Sequence, residues 1–385
     1  MARRTAIVGI GQTYHCARRD DVNGQELINE AVTRALEDAG LTMKDIDAIV
    51  IGNMDHFEAI NYVDGWSVDG SGAFMRPIMK LTTGGTSGMT VATAGYYHVA
   101  SGFFDVVLAI GWEMNSSSDT TAAITTCCQP LIERDFFAGA IGPLAAEYTA
   151  YIKRFGATEE DAALVSVRDH NNALNNPHAH LRTRITVEDV MKSPVLCYPI
   201  KLLDMCPRSD GACALIYACE GKAEKLAPRP AWVHTIAGSR DFVYMGEPFQ
   251  HEELITLERA SARAYKRAGI TDPLKEIDVM ELYLPASTTG VKWMESLWVC
   301  GRGEAPRLIR EGVFNMDGQL PVNPSGGPLA TNPIGATAMI RVGEAALQIM
   351  GKAGDRQVPN VRTALATAFG SCSWSDVTIL RDTKP

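Results

Sequence analysis

Glu30-Ala31-Val32-Thr33-Arg34-Ala35-Leu36-Glu37-Asp38-Ala39-Gly40, then Leu41-Thr42, then Ile46-Asp47-Ala48-Ile49-Val50-Ile51-Gly52 has a second copy later in the chain. The copy reads Arg259-Ala260-Ser261-Ala262-Arg263-Ala264-Tyr265-Lys266-Arg267-Ala268-Gly269, then Ile270-Thr271, then Ile277-Asp278-Val279-Met280-Glu281-Leu282-Tyr283. Each copy spells an amphipathic helix stopped by a glycine, a short polar turn and an apolar strand. The correspondence continues. Gly84-Gly85-Thr86-Ser87-Gly88 opens a helix to about Ala100, followed by a strand from Asp105 to Gly111. Asn332-Pro333-Ile334-Gly335 opens a helix to Met350, followed by a strand from Thr363 to Ala368.

An internal repeat of helices and apolar strands predicts a mixed α/β architecture with covered sheets. Two halves related by a pseudo-dyad, 1–225 and 226–385, would form a five-layer αβαβα sandwich whose central layer is shared helices. Residues of about 115–199 interrupt the pattern and have no counterpart in the second half. They include predicted helices from Gly142 to Phe155 and from Glu159 to Asn176. The segment reads as an inserted loop or lid.

Composition narrows the function. The formal net charge is −9, which argues against general binding of nucleic acid or anionic membranes. No apolar run reaches the ~18 residues a membrane-spanning helix needs. Met1-Ala2-Arg3-Arg4 leads straight into Thr5-Ala6-Ile7-Val8-Gly9-Ile10-Gly11, a strand and turn rather than a signal peptide. A cytoplasmic location is the expectation. The nine cysteines show no metal-ligand spacing and read as free thiols in a reducing compartment, with no metal expected.

The repeat and its loops resemble the thiolase superfamily, and within it the sterol-carrier-protein-type branch. The carrying segments are Ala6 to Gly11, Gly84 to Gly88, Pro207-Arg208-Ser209-Asp210-Gly211-Ala212, Glu281-Leu282-Tyr283 and Gly318 through Ala336. The resemblance spans essentially the whole chain and implies the thiolase fold and chemistry on coenzyme A thioesters. Coenzyme A is then substrate or co-substrate, and the chain holds no bound cofactor of its own. It also implies a dimer joined through the edge strand of the first half. A small partner subunit with a zinc ribbon and an OB-fold is a further possibility it raises.

Thiolases carry a nucleophilic cysteine in Cys-x-Ser-Gly at a helix start, where the helix dipole favours a thiolate. The matching stretch here is Gly85-Thr86-Ser87-Gly88, so Gly85 stands in the nucleophile's place. The family's Gly-His-Pro is Thr331-Asn332-Pro333. The polar residue after the second-half strand is Tyr283. The late cysteine is replaced in Ala368-Phe369-Gly370. The resemblance leaves backbone amides at Gly85 and Gly370 to form an oxyanion hole. It also places Ser87, Gly327 and Gly335 against the substrate or its coenzyme A.

Without a cysteine, retro-aldol cleavage of a bulky β-hydroxyacyl-CoA fits best, because it needs a base and an oxyanion site but no acyl-enzyme. Steroid side-chain aldolase subunits, which also lack the cysteine, are similar in this respect. Tyr283 is the expected base or proton donor, and Asn332 the donor to the thioester oxygen or a helix cap before Pro333. His56, in the loop after the Ile46–Gly52 strand, is a second candidate base. Two alternatives stay open. One is thiolysis of a bulky, aromatic β-ketoacyl-CoA by direct attack of coenzyme A, as in the benzoylsuccinyl-CoA thiolase group, with room for its sulfur at Gly85. The other is a non-catalytic scaffold subunit. Cys127 and Cys128 could replace the lost nucleophile, but nothing nearby in sequence activates them. Phe57, Tyr62, Trp66 and Phe74, with Phe136 and Phe137, read as an apolar lining for an aromatic or polycyclic acyl group or as loop packing.

Overall fold

Asn23 accepts hydrogen bonds from the N–H groups of Gln25 and Glu26 and starts the Gly24–Ala39 helix, which Gly40 stops at φ 65°. Its counterpart in the second half, Ile255–Ala268, stops at Gly269 with φ 68°. A left-handed residue at both ends explains why both copies place glycine there. The structure, a computed structural model, describes residues 2–135, 139–241, 251–370 and 374–385.

The strands are β1 (Thr5–Gln12), β2 (Ala48–Gly52), β3 (Ile78–Lys80), β4 (Val106–Met114), β5 (Val195–Cys197), β6 (Ile200–Lys201), β7 (Asp210–Cys219), β8 (Ala231–Arg240), β9 (Val279–Glu281), β10 (Thr363–Phe369) and β11 (Trp374–Arg381). Apart from the β5–β6 hairpin they form one sheet in the order β3-β2-β4-β7-β1-β8-β11-β10-β9. The repeat is visible in this order. In the first half β2 pairs parallel with β4, β4 antiparallel with β7, and β7 antiparallel with β1. In the second half β9, β10, β11 and β8 repeat the same three pairings. The edge strand β3 has no second-half equivalent among the described residues.

Matching residues also perform matching tasks. Asp47 Oδ2 accepts from the N–H groups of Asp105 and Val106 at 2.8 and 2.9 Å. Asp278 Oδ2 accepts from those of Arg362 and Thr363, both at 2.8 Å. Each aspartate thus fastens the start of the neighbouring parallel strand.

The Ser87–Ala100 and Ile334–Met350 helices cross at the centre, and each packs against strands of both halves. A Cβ on Gly88 would lie 2.6 Å from the backbone nitrogen of Met339 and 2.9 Å from the Gly335 carbonyl, so this crossing tolerates no side chain. The Gly24–Ala39 helix covers β1 and β7, and Ile255–Ala268 covers β8 and β11. The five layers read from the sequence are therefore present: helix, half-sheet, central helix pair, half-sheet, helix. One feature was not foreseen. The half-sheets are joined edge to edge where Ala6 and Ile7 of β1 meet Trp232 and Ala231 of β8.

Strand ends differ from the periodicity in informative ways. The expected Ile46–Gly52 strand begins only at Ala48, because Met43–Asp45 winds into a single 3-10 turn. The expected Ile277–Tyr283 strand spans Val279–Glu281. Beyond it, the Leu282 N–H donates to Asn323 Oδ1 at 2.6 Å and the Tyr283 N–H to Thr367 Oγ1 at 2.9 Å. Side chains replace the ladder here. The inserted segment builds the Ile141–Phe155, Glu159–Asn172 and Val187–Lys192 helices, and the first two pack on Ser287–Ser296 of the second half.

Candidate active site

The loops at the ends of β3, β9 and β10 and the start of the Ile334–Met350 helix converge on a cavity of about 550 Å³. Gly85, Tyr283, Asn332 and Phe369 line it from the two halves, and the inserted segment supplies the opposite wall. That wall is largely aliphatic, including Ile124, Ile141, Leu144, Leu181 and Leu196.

Gly85 is closed in by backbone. A Cβ there would sit 2.7 Å from the Phe369 carbonyl oxygen, nearer than real Cβ atoms come. The β10 end thus occupies the space that a nucleophilic side chain would need.

Tyr283 is 4% exposed and lines the cavity. Burial, reinforced by the Cys206 thiol and Glu113, pushes its phenol well above the usual tyrosine range, and a hydrogen bond with Thr337 opposes this only in part. The phenol therefore stays protonated, a hydrogen-bond donor rather than a base at rest.

Asn332 is the hub of this wall. Its Oδ1 accepts from Thr337 Oγ1 at 2.7 Å and its Nδ2 donates to Cys206 Sγ at 3.1 Å. Its N–H donates to Ser209 Oγ at 3.1 Å. The helix-cap reading fails, because Pro333 occupies the N-cap position and the Asn332 side chain bonds to a hydroxyl instead. Thr337 thus lies beside both the Tyr283 phenol and Asn332. The second Nδ2 hydrogen of Asn332 remains available to a ligand.

Several expected site residues lie elsewhere. His56 is exposed and does not itself line the cavity; its Nδ1 meets Thr126 Oγ1 at 3.3 Å and its Nε2 the Sγ of the cavity-lining Cys127 at 3.8 Å. Ser87 closes the turn before its helix, accepting from the Thr83 N–H at 2.9 Å and donating to the Gly84 carbonyl at 2.6 Å. Gly327 is packed under the Asn323 side chain and its N–H donates to Ser325 Oγ at 3.2 Å. The Gly370 N–H, expected in an oxyanion hole, donates to the Trp374 carbonyl at 3.0 Å as part of the β10–β11 pairing. The Gly335 N–H donates to Glu113 Oε2 at 2.9 Å.

Glu113 and Glu58 form a buried acid pair behind the site. Burial, reinforced by the Glu58 charge, pushes Glu113 well above the ordinary carboxylate range, and burial pushes Glu58 upward as well. The pair organises backbone: Glu113 Oε2 also accepts from the Met54 N–H at 3.0 Å, and Glu58 Oε1 from the Met114 N–H at 2.5 Å.

Three cysteines line the cavity, but none is poised as a nucleophile. Burial pushes Cys127 up to about 11 and Cys206 up to about 12, and it raises Cys128 too. Sequence reasoning missed His170. It sits on the Glu159–Asn172 helix, is 2% exposed and lines the cavity. Neither ring nitrogen has a hydrogen-bond partner. Burial alone pushes it down to about 4, so it is neutral at neutral pH.

The aromatic lining does not assemble. Phe57 is buried in a small cluster, Trp66 stacks on Trp112 with ring centroids 5.5 Å apart, and Tyr62 and Phe74 are exposed. None of the four lines the cavity, and Phe136 and Phe137 lie outside the described residues. No cluster of three or more His, Cys, Asp or Glu side chains suited to a metal occurs among the described residues. No helix among them is long and apolar enough to cross a membrane.

Comparison with known proteins agrees with this frame. The chain is 32% identical to an acetyl-CoA acetyltransferase of Methanothermobacter thermautotrophicus, over 96% of each sequence. It is 28% identical to a 17-hydroxy-3-oxo-4-pregnene-20-carboxyl-CoA lyase of Mycobacterium tuberculosis, over 86% of this chain and 87% of the lyase. The solved structure of an Ltp2-ChsH2(DUF35) aldolase superposes with a TM-score of 0.84 at 26% identity, covering 98% of each chain. Residues 2–220 match the thiolase N-terminal domain and residues 250–382 the thiolase C-terminal domain-like family. A chain with both thiolase domains, the repeated strand order and a cavity at their shared helix starts belongs to the thiolase family.

Proposed function

We propose that the protein is an acyl-CoA carbon–carbon lyase that cleaves a bulky β-hydroxyacyl-CoA by retro-aldol chemistry, with no acyl-enzyme. The observation that carries this reading is the closed Gly85 position. With the Phe369 carbonyl 2.7 Å from where a Cβ would be, the site offers no place for a nucleophilic sulfur on the chain. The cavity thiols are all pushed up by burial.

Retro-aldol cleavage needs no such sulfur. A base takes the β-hydroxyl proton, the O–H electrons form the carbonyl, and the Cα–Cβ pair passes into a thioester enolate. The enolate then takes a proton at Cα. Asn332 Nδ2 and the protonated Tyr283 phenol are donors suited to the enolate oxygen, where negative charge develops. A lyase and an aldolase among the relatives support the same chemistry. A cavity of about 550 Å³ with aliphatic walls suits a large apolar acyl group.

The reading extends to assembly. Among the described residues the β3 edge pairs only with β2, and Phe74, Met75 and Met79 beside it are exposed, as a homodimer through this edge would require. The ChsH2(DUF35) component of the aldolase structure favours a small partner subunit here too. Purified protein, alone and with a DUF35 partner, is incubated with 17-hydroxy-3-oxo-4-pregnene-20-carboxyl-CoA and with 3-hydroxy-3-phenylpropionyl-CoA. Release of a ketone or aldehyde without added coenzyme A is the expected result. Cleavage confined to β-ketoacyl-CoA in the presence of coenzyme A would sink the reading.

A further inference from the structure

Resting on the lyase reading, we propose that His170 is the base that removes the β-hydroxyl proton. Three properties are required of that group: a place in the cavity, a free lone pair, and an unprotonated state before reaction. Among the described residues, the titratable side chains lining the cavity are Cys127, Cys128, Glu133, His170, Cys206, Arg208 and Tyr283. The cysteines and Tyr283 hold their protons. Arg208 is a cation. Glu133 accepts from the Gln129 N–H at 3.3 Å. Asn332 uses its Oδ1 on Thr337.

His170 alone combines burial with two unused ring nitrogens. Its chain neighbours do not compete for it: Arg168 Nε donates to Asp169 Oδ1 at 2.8 Å, and Asp169 Oδ2 accepts from Asn323 Nδ2 at 2.8 Å. An imidazole whose basicity is suppressed by burial alone gains it back when negative charge appears nearby. The developing enolate supplies that charge in the same cavity. Imidazolium and enolate then form an ion pair, and the proton taken from the β-hydroxyl can return to Cα from His170 or by way of Tyr283. Atoms balance without a further reactant: 3-hydroxy-3-phenylpropionyl-CoA yields benzaldehyde and acetyl-CoA.

The test uses the full chain in the assembly in which wild type is active, with 3-hydroxy-3-phenylpropionyl-CoA as substrate and benzaldehyde as readout. His170→Gln and His170→Ala are each expected to lower kcat by about 100-fold or more with KM within about threefold. Added imidazole should restore at least about tenfold of the turnover lost by His170→Ala, as it would for a missing base. Binding of 3-phenylpropionyl-CoA, which lacks the hydroxyl, and an unchanged thermal transition certify the fold; the Gln variant carries the test if the Ala variant does not fold. An active wild type with an equally active His170→Gln overturns the base assignment alone, as does a loss confined to KM. A wild type that releases no carbonyl product from this or the pregnene substrate overturns the lyase reading and the assignment together.

Discussion

The Phe369 carbonyl oxygen lies 2.7 Å from the position a Cβ on Gly85 would take. Restoring a cysteine at this position therefore does not restore a thiolase. Gly85→Cys is expected to force the β10 end to move, costing about 1–3 kcal/mol. Denaturant unfolding should show the loss, and the variant should not cleave acetoacetyl-CoA in a coenzyme A-dependent assay. Robust thiolysis by Gly85→Cys would show that the site still accommodates a nucleophile.

Tyr283→Phe should keep the fold, because the Tyr283 backbone N–H, not its phenol, holds the strand end to Thr367. Turnover of a β-hydroxyacyl-CoA should fall at least about tenfold, the order expected for a lost proton or hydrogen-bond donor. The phenol is pushed above the usual tyrosine range, so no tyrosine titration should appear in the rate between about pH 6 and 9. Kinetics of the variant that match wild type would remove Tyr283 from the chemistry.

Glu113 and Glu58 make stability depend on pH with a defined sign. Their folded-state values lie above the ordinary 4.5, so the folded protein holds a proton that the unfolded chain releases. That contribution is complete below the ordinary value and is lost as pH rises toward the folded one. Glu113→Gln mimics the neutral acid and should flatten the fall in Tm between about pH 5 and 9 to less than half its wild-type slope. An unchanged slope, read by calorimetry across that range, would mean that the pair does not retain its proton.

Asp47 and Asp278 each receive two backbone N–H groups in equivalent places. Replacing either by alanine should cost about 1.5–3 kcal/mol, as expected for hydrogen bonds to a charged acceptor. Because the settings match, the two losses should agree within about 1 kcal/mol in urea unfolding. A large disparity would show that the halves repeat in geometry but not in energy.

The fold was legible because its signals are local and doubled. Gly40 and Gly269, Asp47 and Asp278, and the two helix starts at Gly85 and Gly335 can each be checked against a partner in the same sequence. The site was legible only where it follows the backbone: Tyr283 and Asn332 reach the cavity because strand and helix ends aim them there. Gly370 misled, since sequence cannot show that its N–H is spent on Trp374. His56 misled because a loop after a strand can lead away from the cavity as easily as into it. His170 left little trace, being one polar residue on the buried face of a helix in the segment without a repeat. Its significance lies in what it fails to touch, which no spacing records.

The crossing at Gly88 bears on how such a protein can change its chemistry. The two central helices are registered against each other by main chain, with Met339 and Gly335 in direct reach of the missing Cβ. The side chains of Tyr283 and Asn332 lie outside that contact. Reactive groups can therefore be exchanged while the scaffold that aims them stays fixed, so engineering of this cavity should begin at those two positions and leave residues 85 and 88 alone.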